Sequence, residues 1–364
     1  MAINCGLIGL PNVGKSTIFN AMTRGEAAVA NFPFCTVDPN VGIVEVPDAR
    51  LTCLVEIYKP KKLSPTSMAF VDIAGLVAGA SKGEGLGNQF LSHMRETDAL
   101  VHIVRCFEDP EIVHVGGTVD PARDIETIDT ELILKDLDTV EKRLFKTGKK
   151  AKSGDKAAIH ETDVLQQLLE CLSEGKSART LALSEEEIPF LKELALLTAK
   201  PVLYVANVPE AQVKTGNSHS ERVAEIAGRE GTSSIAISGK IESEIAALPP
   251  DEGEMFLNEL DLPEAGLSRL IRASYKMLGL LTFFTVGEDE VKGWTIRNDT
   301  PAVQAAGKIH SDIERGFIRA EIFRYQDLID HGSLQAIKSK GLLRLEGKEY
   351  LIQDGDCVYF RFNV

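Results

Sequence analysis

Gly9-Leu-Pro-Asn-Val-Gly-Lys-Ser-Thr17 fits the pattern G-x-x-x-x-G-K-[ST] of a phosphate loop, and it follows directly on the strand-like run Ile3 to Ile8. The glycines let the backbone fold back so that successive N–H groups converge on a β-phosphate, and a helix starting near Lys15 adds its positive end there. Lys15 is placed to reach the β- and γ-phosphates. Ser16 is placed to put its hydroxyl on Mg²⁺, an ion that keeps several waters and takes few protein ligands. A glycine-rich turn that binds nothing is the other reading, but strand, loop, lysine, hydroxyl and helix all occur in the required order.

At 364 residues the chain is too long for one ordinary core, and two or three domains are expected. No apolar run approaches the ~20 residues of a membrane span, and the amino terminus goes straight into a strand instead of a signal peptide. A cytoplasmic protein is expected. The six cysteines, Cys5, Cys35, Cys53, Cys106, Cys171 and Cys357, include no C-x-x-C pair, so neither a zinc ribbon nor a disulfide framework is indicated. Most read as small apolar core residues. A net charge of −14 argues against wholesale coating of nucleic acid, so any RNA contact has to be local.

Strand-like runs alternate with helices up to about Asp124, as βαβ units do. Then the period changes. Ile133, Leu137, Val140 and Leu144, and after a break Leu165, Leu168 and Leu172, put one apolar seam on each of two helices. With Gly148 and Ser153-Gly154 between them, they predict an antiparallel hairpin. Ser184 to Glu187 reads as a capping box opening another helix. Strand patterns resume at Pro201 to Asn207 and Ser234 to Ser238, and a strand-rich α+β module closes the chain, with Tyr350 to Ile352 among its strands. The expected organisation is an α/β nucleotide domain from 1–124 and 199–280, an inserted helical segment at 125–198 and a small module at 281–364.

Asp72-Ile-Ala-Gly75 ends the strand Met68 to Asp72, where a nucleotide switch keeps a Mg²⁺-side carboxylate and a glycine whose N–H meets the γ-phosphate. The motif is strong because it lies ~55 to 60 residues after a phosphate loop. Thr36, in Asn31-Phe-Pro-Phe-Cys-Thr36, is the natural hydroxyl to complete Mg²⁺ coordination, a solvent-exposed loop threonine being the alternative. Leu76 stands where many switches hold a glutamine that orients the attacking water, so catalysis uses another group or is slow. His114, in the loop after Ala99 to Cys106, is a candidate to position or deprotonate that water, though lone loop histidines are often incidental. A guanine site normally uses Asn-Lys-x-Asp, and here the tetrad is Asn207-Val208-Pro209-Glu210. The lysine that packs on the base is a valine and the carboxylate is one methylene longer. Ser238-Gly239-Lys240 can close over the other side of the base. By chemistry alone, guanine specificity is weakened.

Together these residues resemble the YchF/Obg-like ATPase family within the P-loop GTPases. The resemblance covers the whole chain, through Asn12 to Thr17, Asn31 to Thr36, Asp72 to Leu76 and the glycine-rich stretch Gly79 to Gly87. It implies a P-loop NTPase domain with an inserted coiled-coil hairpin and a carboxy-terminal TGS domain of ubiquitin-like β-grasp fold. It also implies a Mg²⁺-dependent ATPase that tolerates GTP and is associated with the ribosome, expected at the large subunit, and with stress responses. On this resemblance Asn12, Val13, Gly14, Lys15, Ser16, Thr17, Phe34, Asn207, Val208, Glu210, Ser238 and Gly239 bind ATP. Ser16, Thr36 and Asp72 hold the metal, and Lys15, Gly75 and His114 serve catalysis.

Lys142, Arg143, Lys146, Lys149, Lys150, Lys152 and Lys156 cluster at the hairpin tip against the single acid Asp155. Such a patch can bind RNA phosphate, and a solvated basic helix end is the plainer reading. The terminal module adds Arg315, Arg319 and Arg324 without an RNP-like aromatic signature, and RNA, protein or both stay open as its partner. Two rivals to an ATPase switch stay open: a true GTPase, and an ATP-gated scaffold with negligible hydrolysis.

Overall fold

Twelve strands form among residues 3–24, 41–73, 94–184 and 186–363, the parts of the chain that this computed structural model describes. In chain order they are β1 (Asn4–Ile8), β2 (Val41–Glu45), β3 (Lys62–Ser64), β4 (Ser67–Asp72), β5 (Ala99–Arg105), β6 (Val202–Asn207), β7 (Ser233–Ile237), β8 (Leu280–Thr285), β9 (Glu290–Arg297), β10 (Phe317–Arg324), β11 (Arg344–Glu346) and β12 (Asp356–Phe362). Phe34, Thr36, Gly75, Leu76 and the stretch 79–87 lie outside the described residues. The chain divides into two units, Met1–Ile43 with Ala69–Leu270, and Val44–Met68 with Ile271–Val364.

The first unit is built on a sheet of order β2-β4-β1-β5-β6-β7. β1 pairs in parallel with both β4 and β5, and the parallel ladder continues through β6 to β7. Every residue of β5 and of β6 is buried, the pattern of parallel strands covered on both faces. The chain leaves β1 for β4 on one side and later returns to β5 on the other. The carboxyl end of β1 is therefore a topological switch point, where open α/β sheets place their ligands. That is where Gly9 to Thr17 lies. No helix among the described residues is long and apolar enough to cross a membrane. Cys5, Cys106, Cys171 and Cys357 are buried, as small core residues should be.

The hairpin is formed by helices Pro121–Ala151 and Lys156–Ser173. The first starts where Asp120 accepts the Arg123 N–H at 3.2 Å and Pro121 pre-sets the first turn. Its seam, Ile133, Leu137, Val140 and Leu144, packs against Val164, Leu165, Leu168 and Leu172. Gly148 lies inside the first helix, so the turn is confined to 152–155, with Gly154 at φ +85°. The next helix is shorter than Ser184 suggested, Ile188–Leu194, although Glu187 does accept the Ser184 N–H at 2.8 Å. The hairpin packs as part of the first unit, not as a separate body. Asp136, fully buried on the long helix, accepts the N–H groups of Leu197 and Thr198 at 2.9 and 2.7 Å and the Thr198 hydroxyl at 2.7 Å.

The second unit holds the sheet β11-β10-β12-β8-β9-β3. β8 and β9 form an antiparallel pair, the helix Ala302–Ile309 covers one face, and β12 returns parallel to β8, as in a β-grasp. This unit is larger than the module expected at 281–364. The stretch 44–68, read with the nucleotide domain, belongs here, because β3 pairs with β9 and Leu51 and Leu54 of helix Ala49–Tyr58 fill the second face against Phe284, Val291, Phe323 and Cys357. Tyr350 to Ile352, read as a strand, contributes one isolated bridge, Leu351 to Pro301.

Candidate nucleotide-binding site

Helix Lys15–Arg24 begins at the end of the phosphate loop, its first turn closed by the Ile18 N–H on the Gly14 carbonyl at 3.0 Å. Gly14 sits at φ +92°, and a Cβ there would lie 2.2 Å from Asn207 Nδ2. Both the backbone angle and the space require glycine. Asn12 also takes a left-handed angle, φ +64°, which asparagine tolerates better than most residues. Its side chain donates to the Val113 carbonyl at 3.1 Å, so the loop after β5 is tied to the phosphate loop.

Asn207, the first residue of the candidate base-reading tetrad, is 5% exposed and makes two bonds inward. Its Nδ2 donates to the Val13 carbonyl at 2.8 Å, and its Oδ1 accepts the Gly239 N–H at 2.9 Å. It braces the phosphate loop against the loops after β6 and β7. Val208 is buried, its N–H on the Ile237 carbonyl at 2.8 Å. Ser238 is buried as well, and Thr17, Phe107, Val208, Glu210, Ser238 and Lys240 all line one cleft of about 1070 Å³ beside the phosphate loop. Such a volume accommodates a nucleotide.

The Lys15 ammonium, 8% exposed, is paired with Asp72 Oδ1, and the Ser16 hydroxyl donates to Asp72 Oδ2 at 3.3 Å. Two hard oxygen donors thus converge beside Lys15, at the start of the helix that follows the loop. Mg²⁺ takes one or two carboxylates and completes its shell with waters and phosphate, so these residues fit it. Among the described residues no cluster of three or more His, Cys, Asp or Glu offers a metal an all-protein cage.

Glu210 is not free. Its Oε2 receives the Lys240 ammonium at 3.1 Å, and that contact raises the Lys240 pKa.

His114 is buried, and both of its ring nitrogens are engaged. Nδ1 accepts the Gly116 N–H at 3.0 Å, so Nε2 carries the proton that Asp124 accepts at 2.9 Å. The ring thus faces the base of the long helix, and to act on a water it has to leave Asp124. Cys106 nearby is no nucleophile, since burial, with Asp124 adding, pushes its thiol up to about 12.

Two site features were not read from the sequence. Arg105, 2% exposed, donates to the carbonyls of Phe107 at 3.1 Å and Ile112 at 3.0 Å and shapes the loop that carries Phe107 to the cleft. A charge closing an otherwise apolar strand was the available signal, because such a group needs partners when buried. Phe107 itself, stacked under Arg105 at 4.6 Å, carried no signal of its own.

Two family models match the chain. One, described as "50S ribosome-binding GTPase", covers residues 4–143, and a YchF GTPase carboxy-terminal family, described as a protein of unknown function, covers 280–363. The chain is 55% identical to the ribosome-binding ATPase YchF of Bacillus subtilis (strain 168), over 100% of both chains. This chain belongs to the YchF family. The YchF of Haemophilus influenzae is 50% identical, again over 100% of each chain. The solved structure of the Schizosaccharomyces pombe YchF GTPase superimposes with a TM-score of 0.89 at 39% identity, covering 99% of this chain and 98% of that one. A Pyrococcus horikoshii GTP-binding protein, at 20% identity and TM-score 0.62 over 99% and 100% of the two chains, agrees in fold. The family model over 4–143 includes the phosphate loop, Asp72 and His114, while the candidate base-reading tetrad, Asn207 to Glu210, lies beyond it.

Proposed function

We propose that this chain is a cytoplasmic Mg²⁺-dependent nucleotide hydrolase that prefers ATP to GTP and acts as a nucleotide switch on the ribosome, at its large subunit. The names of its relatives, ribosome-binding ATPases, support the activity and the partner. The observation that carries the ATP preference is the Lys240–Glu210 ion pair at the cleft. Guanine needs a carboxylate for its N1–H and N2 amino group, and here Lys240 already engages that carboxylate. The pair is well exposed, 69% and 39% by side chain, so solvent screens it and it supplies only a small part of the bias. The longer glutamate and the valine in place of the packing lysine supply the rest of the bias. Adenine is then read by backbone groups around Val208 and stacked on apolar surface that includes Phe107.

In this reading the loop N–H groups and Lys15 bind and orient the polyphosphate, and Asn207 keeps that loop in place. Mg²⁺, held by Ser16 and Asp72 with Thr36 added in the nucleotide-bound state, would neutralise charge between the β- and γ-phosphates. The Gly75 N–H and Phe34 complete the γ-phosphate and nucleotide contacts. His114, released from Asp124, orients the water in place of the glutamine that Leu76 replaces. Proton transfer or water positioning of this kind contributes about 10² or more to rate.

Single-turnover hydrolysis tests the reading. Mg-ATP should turn over faster than Mg-GTP, EDTA should abolish both, and His114→Ala should slow the step about a hundredfold with ATP affinity within a factor of about two. A His114→Ala rate equal to the wild type would remove His114 from the mechanism. No hydrolysis beyond the buffer rate would leave an ATP-gated scaffold as the better description.

A further inference from the structure

The nucleotide site leaves one strongly charged element unused, the tip of the hairpin. From Lys142 to Ile159 the sequence carries seven lysine and arginine residues against one acid, in a chain whose net charge is −14. That acid, Asp155, is engaged as the cap of the second helix, accepting the N–H groups of Ala157 at 3.0 Å and Ala158 at 3.3 Å. Lys142 is paired with Asp138, and Arg143 with Glu161 and Glu193. The five remaining lysines, Lys146, Lys149, Lys150, Lys152 and Lys156, are exposed and form no ion pair among the described residues.

A solvated helix end needs no aromatic ring, yet Phe145 stands 68% exposed in the middle of this patch. The Lys149 ammonium lies over the ring at 4.1 Å from its centroid. Phe145, Lys149 and Lys152 recur at helical spacing and share one face, with Lys146 and Lys150 in the adjacent row. Lysines around an exposed ring are the pair of features that single-stranded nucleic acid uses: cations along the phosphates and a flat apolar surface for an unpaired base. An acidic protein surface would be met by the charge alone and leaves the ring unexplained.

We propose that the hairpin tip is an RNA-docking surface, its lysines on the phosphate backbone and Phe145 stacked on an unpaired base. The inference rests on the ribosome reading for the source of that RNA, and it names RNA instead of ribosomal protein as what the tip touches. The tip lies on the far end of the hairpin from Asp124 and Asp136, so its substitutions leave the nucleotide site alone.

The test uses the full chain with two probes, purified ribosomes in co-sedimentation and a fluorescent RNA stem-loop with an unpaired loop in anisotropy, each across a salt series. The triple variant Lys146→Glu, Lys149→Glu, Lys150→Glu should bind both probes at least tenfold more weakly, with a salt slope shallower by about two units or more, since each lost phosphate contact removes roughly 0.7 to 0.9. Phe145→Ala should weaken the stem-loop about tenfold, leave a fully paired RNA nearly unaffected and keep the salt slope. Unchanged ATP affinity in these variants shows that they are folded. Wild-type affinity and slope of the triple variant for both probes would overturn the proposal. So would loss of ribosome binding with RNA affinity intact, which would make the tip's partner a protein. If the wild type bound the RNA through its tip but failed to sediment with ribosomes, the docking surface would stand and the ribosome reading would fall.

Discussion

Replacing Lys15 with methionine is expected to weaken Mg-ATP binding by at least a hundredfold. The ammonium is 8% exposed and held on Asp72, so it is fixed beside the phosphate loop before any nucleotide arrives. A hydrogen bond from a charged donor contributes about 1.5 to 3 kcal/mol, or up to roughly two decades of affinity. The variant suffers twice, because the Asp72 carboxylate, 17% exposed by side chain, then faces the incoming phosphates with no cation beside it. Calorimetric titration checks this, and an affinity within about threefold of the wild type would mean that the loop does not bind phosphate through Lys15.

The largest stability effect is expected away from the nucleotide. Asp136→Ala should destabilise the protein by about 3 to 5 kcal/mol, read as the shift in urea midpoint. Asp136 is fully buried and accepts three hydrogen bonds, so its removal leaves two backbone N–H groups and the Thr198 hydroxyl without partners in a dry site. Asp136→Asn should cost much less, since one acceptor oxygen remains. Burial raises this carboxyl's pKa even though Thr198 and Leu197 bond to it. A group raised on folding contributes its stabilisation at low pH and loses it as pH rises through the folded pKa. The gap between the asparagine variant and the wild type should therefore narrow as pH rises. A loss under about 1 kcal/mol in the alanine variant would show that the hairpin base is held by apolar packing alone.

Legibility in the sequence followed the range over which each signal acts. The phosphate loop, Asp72 at the end of β4 and Asn207 at the end of β6 were readable because motif and strand are contiguous. The hairpin was readable because Ile133, Leu137, Val140 and Leu144 repeat with the helix itself. That residues 44–68 pack with the second unit was not legible, because the partners of Leu51 and Leu54 are Phe284, Phe323 and Cys357, far along the chain and invisible to any local pattern. Gly148 was taken for a turn residue, but a single glycine costs a long helix only about 1 kcal/mol and does not end it. The side-chain partners at the site, His114 with Asp124 and Glu210 with Lys240, depend on loop geometry that spacing does not encode.

Which base the cleft prefers is measured directly by calorimetry of the wild type with Mg-ATP and with Mg-GTP. ATP is expected to bind tighter by at least about tenfold, roughly 1.4 kcal/mol, with Lys240→Met narrowing the gap as Glu210 is freed for guanine. GTP binding as tightly as ATP, or tighter, would contradict this preference and make Glu210 a guanine-reading carboxylate in a GTPase.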